Sequence, residues 1–219
     1  MIDVDGYLRV LGVDRPRRAD AEGLWALHRA GVRDAPEDPA GVQGNHLALT
    51  VRLDGEPWLV DTGLGTAVYE PLPLRAGTCV QGPFGYGMVP SSAAPGGWRF
   101  VHDPRGAFTA MDFAPDPVEP ASFGAEHLRL STSPDSPFVR VVTAQVRRAD
   151  GVDVLRGRVP SRIRAGGTDE RTIHAADDWF DVLTGVFGLD LGDADAPARA
   201  GLWRRVRAAH EKWAAGQPG

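Results

Sequence analysis

Asn45-His46-Leu47-Ala48-Leu49-Thr50-Val51-Arg52-Leu53-Asp54-Gly55-Glu56-Pro57-Trp58-Leu59-Val60-Asp61-Thr62-Gly63 reads as a β-hairpin with a histidine near its start and an aspartate near its end. Asp54-Gly55 suits a two-residue turn, in which both positions take φ > 0. A turn there pairs Leu53 with Glu56, Val51 with Trp58 and Leu49 with Val60. Asp61 then falls opposite Ala48, two residues from His46 on the same face. Diagonal neighbours in a sheet lie about 7–8 Å apart at Cα, within reach of a His–carboxylate hydrogen bond. The other face carries Leu47, Leu49, Leu53, Trp58 and Val60 and is expected to be core.

A carboxylate beside an imidazole fixes the ring tautomer and stabilises the imidazolium, so the ring can take a proton from a nucleophile. The same pair also serves as a plain structural hydrogen bond at a sheet end. Spacing alone does not choose between the two.

Composition narrows the field. The chain has 219 residues, of which 42% are hydrophobic, enough for one large domain or two small ones with a real core. Its net charge of −5 gives no electrostatic reason to expect nucleic acid. No apolar run approaches membrane-spanning length and no signal peptide is evident, so a cytoplasmic protein is expected. The single cysteine, Cys79, cannot form an internal disulfide. Lys212 is the only lysine among 24 basic residues, a usage that, with abundant Ala, Gly and Pro, suggests a GC-rich bacterial genome.

Along the chain, residues 3–11 and 20–33 are expected to be short helices. Asp20 would cap the second, with Leu24, Leu27 and Val32 on its apolar face. Residues 34–44 are a polar, Pro/Gly-rich connector. From about 62 to 172 the pattern is of short strands broken by Gly and Pro, with residues 82–97 a loop. Hairpins are expected around Asp150-Gly151 and around Ala165-Gly166-Gly167. A helix over 175–188 puts Trp179, Phe180, Leu183, Val186 and Phe187 on one face, and a last helix from Pro197 buries Leu202, Val206 and Trp213.

Several separate segments together resemble the arylamine N-acetyltransferase family, which includes the amide synthases that close ansamycin macrolactams. Met1-Ile2-Asp3-Val4-Asp5-Gly6-Tyr7-Leu8 and Leu27-His28-Arg29-Ala30 resemble the family's first helices. His46, followed fifteen positions later by Asp61 in Leu59-Val60-Asp61-Thr62-Gly63-Leu64-Gly65, is similar to its His and Asp motif, and Glu70-Pro71-Leu72-Pro73-Leu74 continues it. Leu130-Ser131-Thr132-Ser133-Pro134-Asp135-Ser136-Pro137-Phe138 resembles a further signature, and Leu155 to Leu191 the family's ending.

The resemblance implies an α+β, cysteine-proteinase-like fold. Its truncated N-terminal helical piece would span 1–44, an antiparallel β-barrel or sandwich 45–137, and a C-terminal α/β region 138–219. It implies His46 as general base and Asp61 as its orienter, Leu64 and Gly65 at the acceptor pocket, and Ser136 near bound coenzyme A. The Gly63 and Gly65 pair is also explained as a turn with positive φ. Acetyl-CoA or another acyl thioester would be the donor substrate, and an amine or polyketide-like compound the acceptor.

The chain departs from the family in one respect. The family's Cys–His–Asp triad takes its thiol from an Arg-Gly-Gly-x-Cys motif on a helix upstream of the histidine, and that motif is absent. Cys79 lies after the aspartate motif, in strand-and-turn sequence. It is a replacement nucleophile or a part-buried bystander. Ser91 and Ser92 read as loop residues. Arg147, Arg148, Arg156, Arg158, Arg162, Arg164 and Arg171 form either a surface for anionic partners or a solvated strand face. The histidines show no metal-ligand spacing and no dinucleotide fingerprint is present.

Three functions stay open: an N-acyltransferase without its thiol, a binding subunit that has lost the chemistry, or a His–Asp proton-transfer enzyme such as an isomerase or cyclase. Helices deprived of the rest of their domain should expose an apolar patch, so a homo-oligomer or a partner protein is expected.

Overall fold

The computed structural model describes residues 25–33, 45–53, 55–61 and 63–215. Eight strands, β1 (Trp25–Arg33), β2 (His46–Leu53), β3 (Glu56–Val60), β4 (Leu72–Pro73), β5 (Gly77–Gln81), β6 (Phe84–Pro90), β7 (Trp98–Val101) and β8 (Ala110–Pro117), form one antiparallel sheet. Their order is β4-β3-β2-β1-β8-β7-β6-β5. A second antiparallel sheet, a simple meander, holds β9 (Thr143–Arg148), β10 (Gly151–Arg156), β11 (Val159–Arg164) and β12 (Gly167–Glu170). Helices α1 (Gly124–Thr132) and α2 (Pro137–Arg140) join the sheets, and α3 (Ala176–Phe187) and α4 (Ala196–Ala215) follow the second.

The opening hairpin has the register read from its sequence: Leu53 pairs with Glu56, Val51 with Trp58 and Leu49 with Val60. Gly55 takes φ of 83°, as the turn requires. The face that packs into the large core is the opposite of the one expected. Ala48 and Leu59 are buried in the large apolar cluster, while on the expected face Val60 is buried and Leu47, Leu49 and Trp58 are half-buried. Strand alternation puts His46 on the same side as Ala48, so the histidine lies at the end of the core-facing side.

That core forms because the sheet brings its ends together. At the end of β5, the Gln81 amide accepts hydrogen bonds from the Tyr69 and Glu70 N–H groups at 2.8 and 3.1 Å and donates to the Glu70 carbonyl at 2.8 Å. Tyr86 Oη donates to the Ala67 carbonyl at 2.6 Å. The chain between β3 and β4 is thus fastened to the opposite end of the sheet. Inside lie Phe84, Tyr86, Met88, Phe100, Met111 and Phe113.

The second sheet has two sides with different neighbours. Val152 packs in the large core, whereas Leu155, one strand step out of phase, joins Trp179, Leu183 and Val206 of the helices. On β9, Gln145 pairs with Val154 and Arg147 with Val152, so both lie on the side of the first sheet. Arg147 clamps the sheets together. Its guanidinium donates to the carbonyls of Ala67 at 3.0 Å, Gln81 at 2.7 Å, Gly151 at 2.7 Å and Arg148, and lies 4.7 Å from the Phe84 ring centre.

Other expectations fare unevenly. The hairpins near 150 and 165 are present, turning at Ala149-Asp150 and Ala165-Gly166. Helix α3 buries Trp179, Phe180, Val182 and Leu183 and ends at Gly188, which takes φ of 67°. Trp213 is 55% exposed and is not core. Of the helix expected over 20–33, the described part, 25–33, is instead β1, an interior strand between β2 and β8, and Gly31 within it weakens a helix by about 1 kcal/mol. The loop expected over 82–97 contains β6, whose Gly87 packs its backbone against the Val101 side chain. Helices α1 and α2 interrupt what reads as continuous short strands. The helix expected over 3–11 and the connector 34–44 lie outside the described residues.

Candidate active site

His46 begins β2 and Asp61 directly follows β3, so the hairpin ladder brings the two together across fifteen residues. Nε2 of His46 lies 2.7 Å from Oδ2 of Asp61. A carboxylate only accepts, so Nε2 carries a hydrogen, and in the neutral ring the lone pair is on Nδ1. The aspartate side chain is 2% exposed and the histidine side chain 14%.

Asp61 is held from its other oxygen as well. Oδ1 accepts from the Gly63 N–H at 2.8 Å and the Leu64 N–H at 3.1 Å. Three hydrogen bonds, one from His46 and two from backbone N–H groups, thus satisfy a buried carboxylate, and the backbone pair sets the path of the chain after β3.

Gly63 lies against the imidazole. A Cβ at this position would sit 2.7 Å from Cε1 of His46. Gly65 is equally crowded, since its Cβ would meet Cβ and Oε1 of Gln145 at 2.5 and 2.7 Å. Neither glycine has positive φ, contrary to the turn reading. Small size, not backbone freedom, is what these positions require. Leu64 is half-buried against the large core.

A second histidine shows what a structural one looks like in this fold. His102 is 4% exposed, with Nδ1 2.9 Å from the Asp103 carbonyl and Nε2 3.0 Å from the Thr66 carbonyl. Phe108, Tyr86 and Phe100 surround its ring at 4.5, 5.5 and 5.8 Å. Burial pushes its pKa down, against the opposing pull of those two carbonyls. His46 differs: among the described residues its Nδ1 has no hydrogen-bond partner.

The remaining candidates have structural roles. Ser136, expected near coenzyme A, is wholly buried. Its hydroxyl donates to the Leu130 carbonyl at 2.5 Å and accepts from the Phe138 N–H at 3.2 Å, capping α2 and tying it to α1. No direct contact with a ligand is open to that hydroxyl. Cys79 stands in β5 opposite Tyr86 and packs against the core, and burial pushes its thiol pKa up, so thiolate is scarce at neutral pH. Ser91 lies in the loop between β6 and β7, as expected, but is buried there: its Oγ donates to Asp112 at 2.5 Å, and Arg99 grips both oxygens of Asp112 at 2.9 Å.

Most of the late arginines are likewise occupied. Arg148 donates to Asp153 at 2.7 Å, Arg162 and Arg164 lie at ion-pair distance from Asp153 and Asp150 (3.3 and 3.4 Å), and Arg158 donates to the Ile173 carbonyl. Among the described residues no group of three or more His, Cys, Asp or Glu is arranged to hold a metal, and no helix is long and apolar enough to cross a membrane.

A model of the N-acetyltransferase family matches residues 25–196. The chain belongs to the arylamine N-acetyltransferase family. It is an enzyme of the transferase class by that membership, with acyl transfer to an amine as its reaction type. The arylamine N-acetyltransferase from Mycobacterium abscessus shares the fold, with a TM-score of 0.77 at 19% identity over 94% of this chain and 95% of that one. The enzyme from Mycobacterium marinum aligns with a TM-score of 0.73 at 27% identity, over 86% of this chain and 71% of that one. Its complex with CoA aligns over the same shares, at 0.70 and 26%. No curated protein matches the sequence.

Gly63 as a neighbour of the imidazole, and Gln145 at Gly65, were not singled out from the sequence. The Asp-x-Gly-x-Gly spacing was visible there, but the close contacts depend on which strands meet.

Proposed function

We propose that the chain transfers an acyl group directly from a thioester such as acetyl-CoA to an amine, with His46 as general base and Asp61 as its orienter. The observation that carries this is the state of the imidazole: Nε2 is fixed on a buried carboxylate at 2.7 Å, and among the described residues Nδ1 has no partner. Only a ring so placed has a basic atom to offer.

In the step itself the amine nitrogen attacks the thioester carbonyl carbon. As the N–C bond forms, the amine proton passes to Nδ1. As the C–S bond breaks, the proton passes from the imidazolium to the leaving thiolate. Asp61 stabilises the cation between the two transfers. No covalent enzyme intermediate is needed, and positioning of the two substrates supplies much of the rate. Leu64 and Gly65 would border the acceptor, since their backbone continues directly from the carboxylate. Ser136 enters only as the residue that holds the α1–α2 corner.

Initial rates with acetyl-CoA and an arylamine both varied test the route. Intersecting double-reciprocal lines, no acetyl adduct by intact-mass spectrometry, and loss of turnover in His46→Ala are expected. Parallel lines with an adduct that disappears in Cys79→Ala would overturn direct transfer. Absence of turnover with unchanged CoA binding in His46→Ala would identify a binding subunit instead. A homo-oligomer is a smaller part of the proposal, supported by exposed Leu128, Phe138 and Val139 on α1 and α2. A monomer by sedimentation at micromolar concentration would remove it.

A further inference from the structure

We infer that Gln145 of β9 selects the acceptor amine, by hydrogen-bonding a polar substituent on the far side of the molecule from the reacting nitrogen. The inference rests on the function just proposed and extends it to acceptor class.

Gln145 comes from the second sheet, yet its side chain lies on the backbone that follows Asp61. Its Cβ and Oε1 occupy the space where Gly65 would carry a Cβ. Arg147, two residues on and on the same side of β9, anchors that strand to the Ala67 carbonyl in the same segment. The approach is therefore built into the docking of the two sheets. Gln145 is nevertheless exposed. Among the described residues its carboxamide makes no hydrogen bond. A carboxamide packed against Gly65, exposed and without a hydrogen bond among the described residues, is available to a ligand.

The distance fits a small rigid amine. His46 Nδ1 receives the proton, so the reacting nitrogen lies beside the imidazole, whose Cε1 contacts the Gly63 position. Gly65 is two residues further along, at most about 7 Å. A molecule lying along this wall with its nitrogen at His46 brings its opposite end to Gln145. An aromatic amine with a hydrogen-bonding group para to the nitrogen has this shape. A neutral amide at Gln145 both donates and accepts, so it suits an uncharged carboxamide or hydroxyl more than an alkyl group.

The experiment compares 4-aminobenzamide with 4-methylaniline as acceptors for wild type, Gln145→Leu and Gln145→Glu, with melting temperatures recorded for each. For Gln145→Leu, kcat/KM with 4-aminobenzamide should fall roughly three- to tenfold, mostly through KM, while 4-methylaniline is unaffected or improves. Gln145→Glu should retain 4-aminobenzamide and reject 4-aminobenzoate. Equal effects on all acceptors, or none, would overturn the assignment. If wild type turns over no amine, the direct-transfer reading has failed separately. Calorimetric binding of the same two amines to wild type and Gln145→Leu then decides: lost discrimination supports the role, and no discrimination or no binding overturns it.

Discussion

Gly63→Ala isolates the geometry on which the proposed chemistry depends. The backbone there is not in the left-handed region, so alanine meets no φ penalty and its effect is steric. The new Cβ would stand 2.7 Å from His46 Cε1, against about 3.5 Å for an ordinary carbon contact, so something must move by about 0.8 Å. If the ring recoils along its bond, the 2.7 Å contact to Asp61 opens to roughly 3.5 Å, beyond hydrogen-bond range. If the loop recoils instead, the Gly63 and Leu64 N–H bonds to Oδ1 lengthen. Either way one bond to a buried charge is lost, about 1.5–3 kcal/mol. For a chain of this size that is a fall of about 3–10 °C in Tm. Misplacing the base by this much should cost about 10²-fold in kcat. The assays are acyl transfer and calorimetry, repeated in a His46→Ala background. Removing the ring removes the clash, so there Gly63→Ala should change stability by less than about 0.5 kcal/mol. Unchanged kcat, or equal destabilisation with and without the imidazole, would refute the reasoning.

Other perturbations report on the scaffold. Arg147→Met removes the donor shared by the Ala67, Gln81, Gly151 and Arg148 carbonyls and should cost about 2–4 kcal/mol, seen as a Tm drop of about 5–15 °C. Hydrogen bonding from Arg105 holds the Asp103 carboxyl well below the usual carboxylate range. Its folded pKa is depressed, so it adds stability above the unfolded value of about 4, and that stability is lost as pH falls toward the folded value. Asp103→Asn should therefore lower Tm at pH 6 and show a shallower decline than wild type between pH 5 and 2.5. Cys79→Ala should leave acyl transfer within about twofold of wild type, and iodoacetamide should label Cys79 slowly at pH 7, as its raised thiol pKa implies.

How much of this was legible in sequence varied with the range of the interactions. The β2–β3 register was readable because Asp54-Gly55 fixes it locally and the pairing runs outward from that turn. Which face is buried was not, because it depends on how the whole sheet curls, and Leu47, Leu49 and Trp58 alternate as convincingly as Ala48 and Leu59. Leu24, Leu27 and Val32 imitate a helical stripe, yet residues 25–33 pair with β2 on one side and β8 on the other. Tertiary pairing outweighs local periodicity there. Gly85 and Gly87 made β6 look like a loop, although Gly87 is small because a neighbouring strand comes close. At the site, the His–Asp pair followed from the hairpin, but the contact between Gln145 and Gly65 spans two sheets, and no local pattern announces it.

Asp61 and His46 differ in what they reveal about function. Asp61 would be required by the fold alone, since it accepts from two backbone N–H groups and shapes the segment that Arg147 and Gln145 reach. Its presence is compatible with catalysis and with a purely structural role. His46 contributes a single hydrogen bond to that arrangement, and a glutamine or asparagine amide could make it too. His102, whose ring is surrounded by aromatics and whose two nitrogens both face carbonyls, shows how this sheet uses an imidazole for structure. A half-buried base with one nitrogen fixed on Asp61 therefore makes His46 the informative residue. His46→Gln keeps a donor for Oδ2 but removes the basic lone pair at Nδ1. It should melt within a few degrees of wild type while losing acyl transfer by the 10²–10⁴-fold typical of a missing general base. Retained turnover in that variant would reduce the pair to a hydrogen bond at the end of a strand.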